Sequence, residues 1–325
     1  MAEGSAGKHP LAAAAGIWQS AKAEMKDNEE LKDGVLVPPE ELKKVAKWLH
    51  QTVTKFGASA SVADGATDKA LISIGEEVIK AFTAATQTLV CLSRGAGASL
   101  LAEIRENGST LAATVEELGA SVGTSSLAVS AGKVLDRVQH LTRMSAHNRA
   151  SIRRRLLRSL SQVSDAGREL QQALHGADNG GCDLDEDDDL GGSDDAEFEP
   201  GERQLVEAVA SAIEVLLEVL KEASRLCVPG STSPTSASAS AAAAAVAEVP
   251  IDVLEACAQH ADSAAQAVDG LAVHAVGGLD IDAFKASLSD LRTAANGFDG
   301  WPTTTNQLPV ALDQVQAAME AVPSD

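Results

Sequence analysis

The sequence has no tyrosine, and aromatic residues make up 2% of its 325 positions. A core without aromatic bulk must be built from Leu, Val, Ile and Ala. That fits closely packed helices better than a sheet, where β-branched and aromatic side chains are favoured. The same scarcity removes most of the Trp and Tyr that usually anchor tight protein interfaces. Positive charge is also in deficit: 26 Lys and Arg stand against 47 Asp and Glu, a formal net charge of -21. This balance argues against bulk nucleic-acid binding, because a phosphate backbone is held by a net basic face that releases counterions. Docking to an acidic membrane meets the same objection outside a local basic patch. No run of about 18 apolar residues occurs, so no segment is expected to span a membrane.

Chemical motifs are scarce as well. Cys91, Cys182, Cys227 and Cys257 lie 30 or more residues apart with no C-x-x-C pair, so they read as reduced thiols, three of them apolar filler within helices. At the N-terminus, Glu3 stands where a secretory signal needs positive charge, and alanine makes a weak apolar segment, so secretion is not expected. Neither G-x-G-x-x-G nor G-x-x-x-x-G-K-[ST] nor H-E-x-x-H is present. His140 and His147, one heptad apart, read as a coincidence on a helix face rather than a metal pair. Asn107-Gly108-Ser109 is a formal glycosylation sequon, but it falls in the middle of a helical pattern. No catalytic residue, metal ligand or cofactor site can be nominated, and the expectation is a protein that is not an enzyme.

What is present is helical periodicity. In DKALISIGEEVIKAFTAATQTLVCLSRG the positions Leu71, Gly75, Val78, Phe82, Ala85, Leu89 and Leu92 advance by fours and threes along one stripe. GASLLAEIRENGSTLAATVEELGASVG repeats the pattern at Leu101, Ile104, Gly108, Leu111, Val115, Leu118 and Val122. Gly95 and Gly97 between them mark a helix stop and a turn, so two antiparallel helices packed along these stripes are expected. Further stripes run through Leu42, Val45, Leu49, Val53 and Phe56, after the start signal Pro38-Pro39-Glu40-Glu41, and through Leu127, Ala131, Val134, Val138 and Leu141. Another runs through Leu156, Leu160, Val163, Gly167, Leu170 and Leu174. With a weaker segment from Leu11 to Met25, the first 175 residues are expected to hold five or six helices.

Beyond residue 203, QLVEAVASAIEVLLEVLKEASRLCV is striped by Leu205, Val209, Ile213, Leu216, Leu220, Ala223 and Cys227, and three more helices are expected before the C-terminus. No convincing strand alternation appears. The expected fold class is all-α, two antiparallel helical bundles joined by an acidic disordered connector. The expected boundaries are an N-terminal segment with a weak helix (1–37), a first bundle (38–177), an acidic loop (178–202) and a second bundle (203–325) containing a Ser/Ala-rich linker at 229–249.

Two charged stretches stand out. GCDLDEDDDLGGSDDAEFEPGER, residues 181–203, holds ten carboxylates between Asp183 and Glu199. Asp183, Asp185 and Asp187 have the first spacings of an EF-hand loop, which also needs Gly at position six and Glu at position twelve. Asp188 and Asp194 stand there instead, so no calcium site is expected and the stretch reads as a solvated connector. Asp185, Glu186, Asp187, Asp188 and Asp189 are candidate interaction residues, and Ser193, followed by two aspartates, is a candidate phosphorylation site. Upstream, residues 133–168 carry nine Lys and Arg against two Asp. On a helical wheel Arg154, Arg155 and Arg158 lie opposite the Leu156, Leu160 and Val163 stripe and are expected to face outward. They read as a solvated face, a nuclear-import signal or a partner-binding patch, which the acidic stretch could screen.

The order of these segments carries a resemblance. AFTAATQTLVCLSRGAGASLLAEIRENGSTL is followed by NRASIRRRLLRSLSQVSDAGRELQQAL, an acidic break, ERQLVEAVASAIEVLLEVLKEASRL and VLEACAQHADSAAQAVDGLAVHAVGGLDIDAFKASLSDL. This resembles the cyclin-D-binding protein family, also described as Grap2- and cyclin-D-interacting proteins. The resemblance implies an all-α protein of nucleus and cytoplasm whose partner is a D-type cyclin or a signalling adaptor. It implies a regulator that dampens cyclin-D-dependent kinase output and restrains cell-cycle progression, without a cofactor and without direct nucleic-acid contact. The residues alone also fit a helical-bundle scaffold of the vinculin or talin-rod kind.

Overall fold

The computed structural model describes residues 9–25, 31–32, 35–61, 69–178, 198–228, 249–276, 280–298 and 307–322. Among these, every regular element is helical. A 3-10 turn (Pro10–Ala13) leads into α1 (Ala14–Glu24), α2 (Pro39–Ala60), α3 (Lys69–Ser93), α4 (Ala98–Ala120), α5 (Leu127–Arg143), α6 (Asn148–Asp178), α7 (Pro200–Leu226), α8 (Ile251–Val276), α9 (Ile281–Asn296) and α10 (Gln307–Glu320). The chain forms two compact units, Met1–Ser151 and Ile152–Asp325. Their boundary falls in the first turn of α6, so the helix grouped above with the first bundle lies, from Ile152 onward, in the second unit. An apolar stripe tells that a face is buried, but not against what.

In the first unit α2 packs on α3 and on α5, and α5 packs on α4. All seven positions of the α3 stripe are buried. The turn that follows α3 contains Gly95, whose φ of +87° is the left-handed conformation that glycine adopts without steric cost. Asn148, fully buried, ties this turn together: its amide nitrogen donates to the carbonyls of Lys32 and Gly95, each at 2.9 Å, and its Oδ1 accepts from the Gly97 amide at 2.7 Å. Glu103 holds the approach to α6 in the same way, accepting from the Ser145 amide at 3.1 Å and the Ser151 hydroxyl at 2.9 Å.

The helices α3 and α4, expected to pack along their stripes, share little contact because α1 inserts between them. Leu11, Ala14, Trp18 and Met25 are all buried, so residues 9–25 contribute to the first unit's core. The Trp18 indole lies over Gly108, and its Nε1 donates to the Ser109 hydroxyl at 2.8 Å. The sequon Asn107-Gly108-Ser109 is therefore a packing feature: glycine admits the ring, and serine satisfies the one polar atom that the ring buries.

In the second unit α8 packs along α9, α10 lies on α7 and touches α9, and α7 touches α8. α7 begins at Pro200, three residues earlier than the periodicity places the bundle. The cause is local: Pro200 occupies the first helical turn, and Glu199 and Glu202 form a capping box, with the Glu199 amide donating to Glu202 Oε2 at 3.0 Å. These two carboxylates of the acidic stretch thus cap a helix. Cys227 and Cys257 are buried, and burial, reinforced by neighbouring Cys227, pushes the Cys257 thiol well above its ordinary range. Asp185, Glu186, Asp187, Asp188, Asp189, Ser193 and Cys182 lie outside the described residues, as do residues 179–197 of the acidic loop expected at 178–202 and residues 229–248 of the Ser/Ala-rich linker.

Candidate protein-interaction face on α6

The buried side of α6 runs through Ile152, Leu156, Ser159, Val163, Ala166 and Leu170, again in steps of four and three. It includes a serine that a hydropathy reading assigns to the outside and leaves Leu160 only half-buried. The true stripe is therefore rotated relative to the one through Leu156, Leu160 and Val163, and the rotation carries Arg155 to the edge of the core.

The structure separates the three candidate arginines. Arg155, whose side chain is 26% exposed, turns toward α8 and does not face outward as expected. Its Nε lies 2.6 Å from Asp262 Oδ2, and its guanidinium reaches Glu255 at 4.0 Å. The other oxygen of Asp262 accepts from the buried Ser159 hydroxyl at 2.6 Å. One carboxylate thereby holds two α6 side chains a turn apart, an arrangement that fixes both the rotation and the height of the helix. A charge taken partly out of water needs such partners, because an unpaired one costs several kcal/mol. Further along, Gly167 packs against Ile213 of α7, and Gln171 donates to Glu214 at 3.5 Å.

With Arg155 locked inward, the opposite face presents Arg153, Arg154 and Arg158 to solvent around Leu157, which is 42% exposed. Leu157 was missed by the sequence reading. Its neighbour Leu156 is fully buried, but adjacency gives no signal for which leucine lies outside, since the adjacent Leu100 and Leu101 of α4 are both buried. Asp262 was missed too; its signal is a lone acid between the fully buried Ala258, Ala261 and Ala265 of α8. An exposed leucine that shares its helix face with arginines fits an acidic partner surface with an apolar contact at its centre, since arginine binds carboxylates bidentately and tolerates partial desolvation.

Elsewhere among the described residues, no group of three or more His, Cys, Asp or Glu is placed to hold a metal ion, and no helix is long and apolar enough to cross a membrane. Trp48, on the outer side of α2 beside Lys44 and Lys47, is an exposed aromatic in a chain that has few.

Residues 41–176 match the model described as Grap2 and cyclin-D-interacting, N-terminal. Over these residues the chain is similar to the N-terminal domain of that family. The matched stretch takes in α2 from Glu41, all of α3, α4 and α5, and α6 to within two residues of its end, so it includes the whole arginine face. It excludes residues 9–25, which nonetheless complete the core of the first unit. No curated protein matches the chain.

Proposed function

We propose that this chain belongs to the cyclin-D-interacting group and is a non-enzymatic regulator that binds a D-type cyclin through the exposed face of α6 and thereby lowers cyclin-D-dependent kinase output. The observation that carries the reading is the solvent-facing set Arg153, Arg154, Leu157 and Arg158, held in place by the Arg155–Asp262 pair and lying inside the family-matched stretch. A net acidic protein that concentrates arginines around one exposed leucine has a surface whose charge differs from the rest of its composition, which steers association toward acidic partners. Action in both nucleus and cytoplasm, as the family resemblance implies, belongs to the same proposal.

The test is retention of purified D-type cyclin on the immobilised chain, with actin-associated proteins as the comparison, followed by assay of the cyclin-dependent kinase with increasing amounts of the chain. Selective cyclin retention and falling kinase activity are expected. Retention of actin-associated proteins without cyclin would favour a scaffold, and unchanged kinase activity would remove the regulatory role.

A further inference from the structure

Three glycines interrupt α3 and α4: Gly75, Gly108 and Gly119. A glycine inside a helix costs roughly 0.5–1 kcal/mol relative to alanine, so three in two packed helices call for a reason. Each lies beneath a side chain of residues 9–25. A Cβ on Gly75 would stand 3.0 Å from the His9 ring, one on Gly108 2.1 Å from Trp18 Cη2, and one on Gly119 2.8 Å from Leu11 Cβ. Leu11 at one glycine of α4 and Trp18 at the other set the segment antiparallel to that helix. The glycines form the floor of a groove between α3 and α4, and Leu11, Ala14, Trp18 and Ala21 fill it with an alternation of large and small side chains.

The groove is better formed than its occupant. α1 has 11 residues, fewer than the roughly 12–15 at which an isolated helix becomes even marginally stable, so its helicity depends on docking. On the α3 side it leaves a cavity of about 510 Å³, bordered by Ile17, Ala21 and Glu24 of α1 and by Thr86, Val90 and Arg94 of α3. At its start, His9 Nε2 is buried without a hydrogen-bond partner, the ring standing edge-on to Phe56 at 5.4 Å. The family-matched stretch begins at residue 41 and supplies both walls and the floor, whereas the segment that closes the groove comes from outside it.

We infer that residues 9–25 are an exchangeable intramolecular ligand of this groove, and that the competing ligand is an amphipathic helix of a protein partner with a leucine and a bulky aromatic residue seven positions apart on one face and alanine between. Helix-in-groove recognition reads anchors at such spacings, and here the chain's own segment displays the pattern that the floor accepts. While the segment is docked the groove is closed, so a partner helix competes against a ligand tethered at high effective concentration and binds with reduced apparent affinity. This surface is distinct from the α6 face and does not depend on what that face binds.

The probe is a fluorescein-labelled synthetic peptide of residues 9–25, titrated against the full chain as wild type, as Trp18→Ala and as Trp18→Ala/Gly108→Val. Trp18→Ala removes the large anchor from the tethered copy and should bind the peptide about tenfold or more tighter than wild type. Valine at position 108 fills the floor and should return binding to the wild-type level or below. Folded Trp18→Ala protein that takes up no peptide, or equal uptake by the single and double variants, would overturn the inference. If Trp18→Ala does not fold, native-state hydrogen exchange on the unmodified chain decides: the amides of Ala14–Glu24 should exchange through an opening that leaves α4 protected. Exchange of α1 and α4 together would show that the segment is not separable.

Discussion

The first unit positions α1 with an indole on a glycine, and the second positions α6 with an arginine on an aspartate. Trp18 is 2% exposed and gains its hold from area and shape, with one hydrogen bond to satisfy its nitrogen. Arg155 stays partly in water and gains its hold from direction, since the Asp262 oxygens are met at 2.6 Å by two groups on successive turns. The apolar contact is tolerant in angle and yields to any side chain of similar shape, which suits a replaceable segment. The polar contact tolerates little rotation, and it decides which α6 residues face solvent.

Substitutions separate the two kinds of contact, beginning with the most damaging. Leu89→Asp places an unpaired carboxylate in the interior of the first unit and should cost several kcal/mol, enough to unfold that unit. Circular dichroism should then lose only part of its helical signal, with a second melting step remaining for residues 152–325; loss of the entire signal would show that the units do not fold separately. Gly108→Ala meets the indole at 2.1 Å and should lower the first unit's stability by about 1–3 kcal/mol, through displacement of Trp18. Tryptophan fluorescence shifted to the red would report the exposed ring, and unchanged emission would mean that the ring is not held where it is described.

Asp262→Asn should cost less, about 1–2 kcal/mol, because Arg155 is still partly hydrated. A double-mutant cycle with Arg155→Leu should show coupling that a cycle pairing Asp262→Asn with Arg158→Leu lacks. The smallest effect is that of pH on His9. Burial lowers its pKa from the ordinary 6.5, so the unfolded chain takes up the proton more readily than the folded one. Its contribution is therefore fully present above pH 6.5 and is lost as the pH falls below that value toward the lowered folded pKa. A first-unit melting temperature that declines over this range in wild type and stays flatter in His9→Gln would bear this out; identical slopes would not.

The helices were legible in the sequence wherever apolar residues kept period, as the wholly buried stripes of α3 and α7 illustrate. Less legible was everything that depends on which helix meets which. Periodicity joined α3 to α4, while a helix with a weak pattern but one indole came between them, because a single Trp on a glycine buries as much surface as several smaller contacts. On α6 a serine proved to be interior, since its hydroxyl reaches Asp262, and counting it as polar rotated the expected face. The sequence singled out Arg154, Arg155 and Arg158 together, but Arg155 turns toward α8 instead of outward. Its carboxylate partner lies 107 positions away in the chain, a separation over which no local pattern operates.

The claim that matters most is that the outer side of α6 is a binding surface and the inner side a positioning device. Its most direct test is the affinity of a D-type cyclin, measured by calorimetry, for wild type and for the variant Arg154→Glu/Leu157→Asp/Arg158→Glu. The substituted side chains are exposed, so melting should change little, while affinity should fall by a factor of about ten or more, the scale of an interface centre lost. A variant that melts like wild type and binds the cyclin with the same affinity would contradict the account.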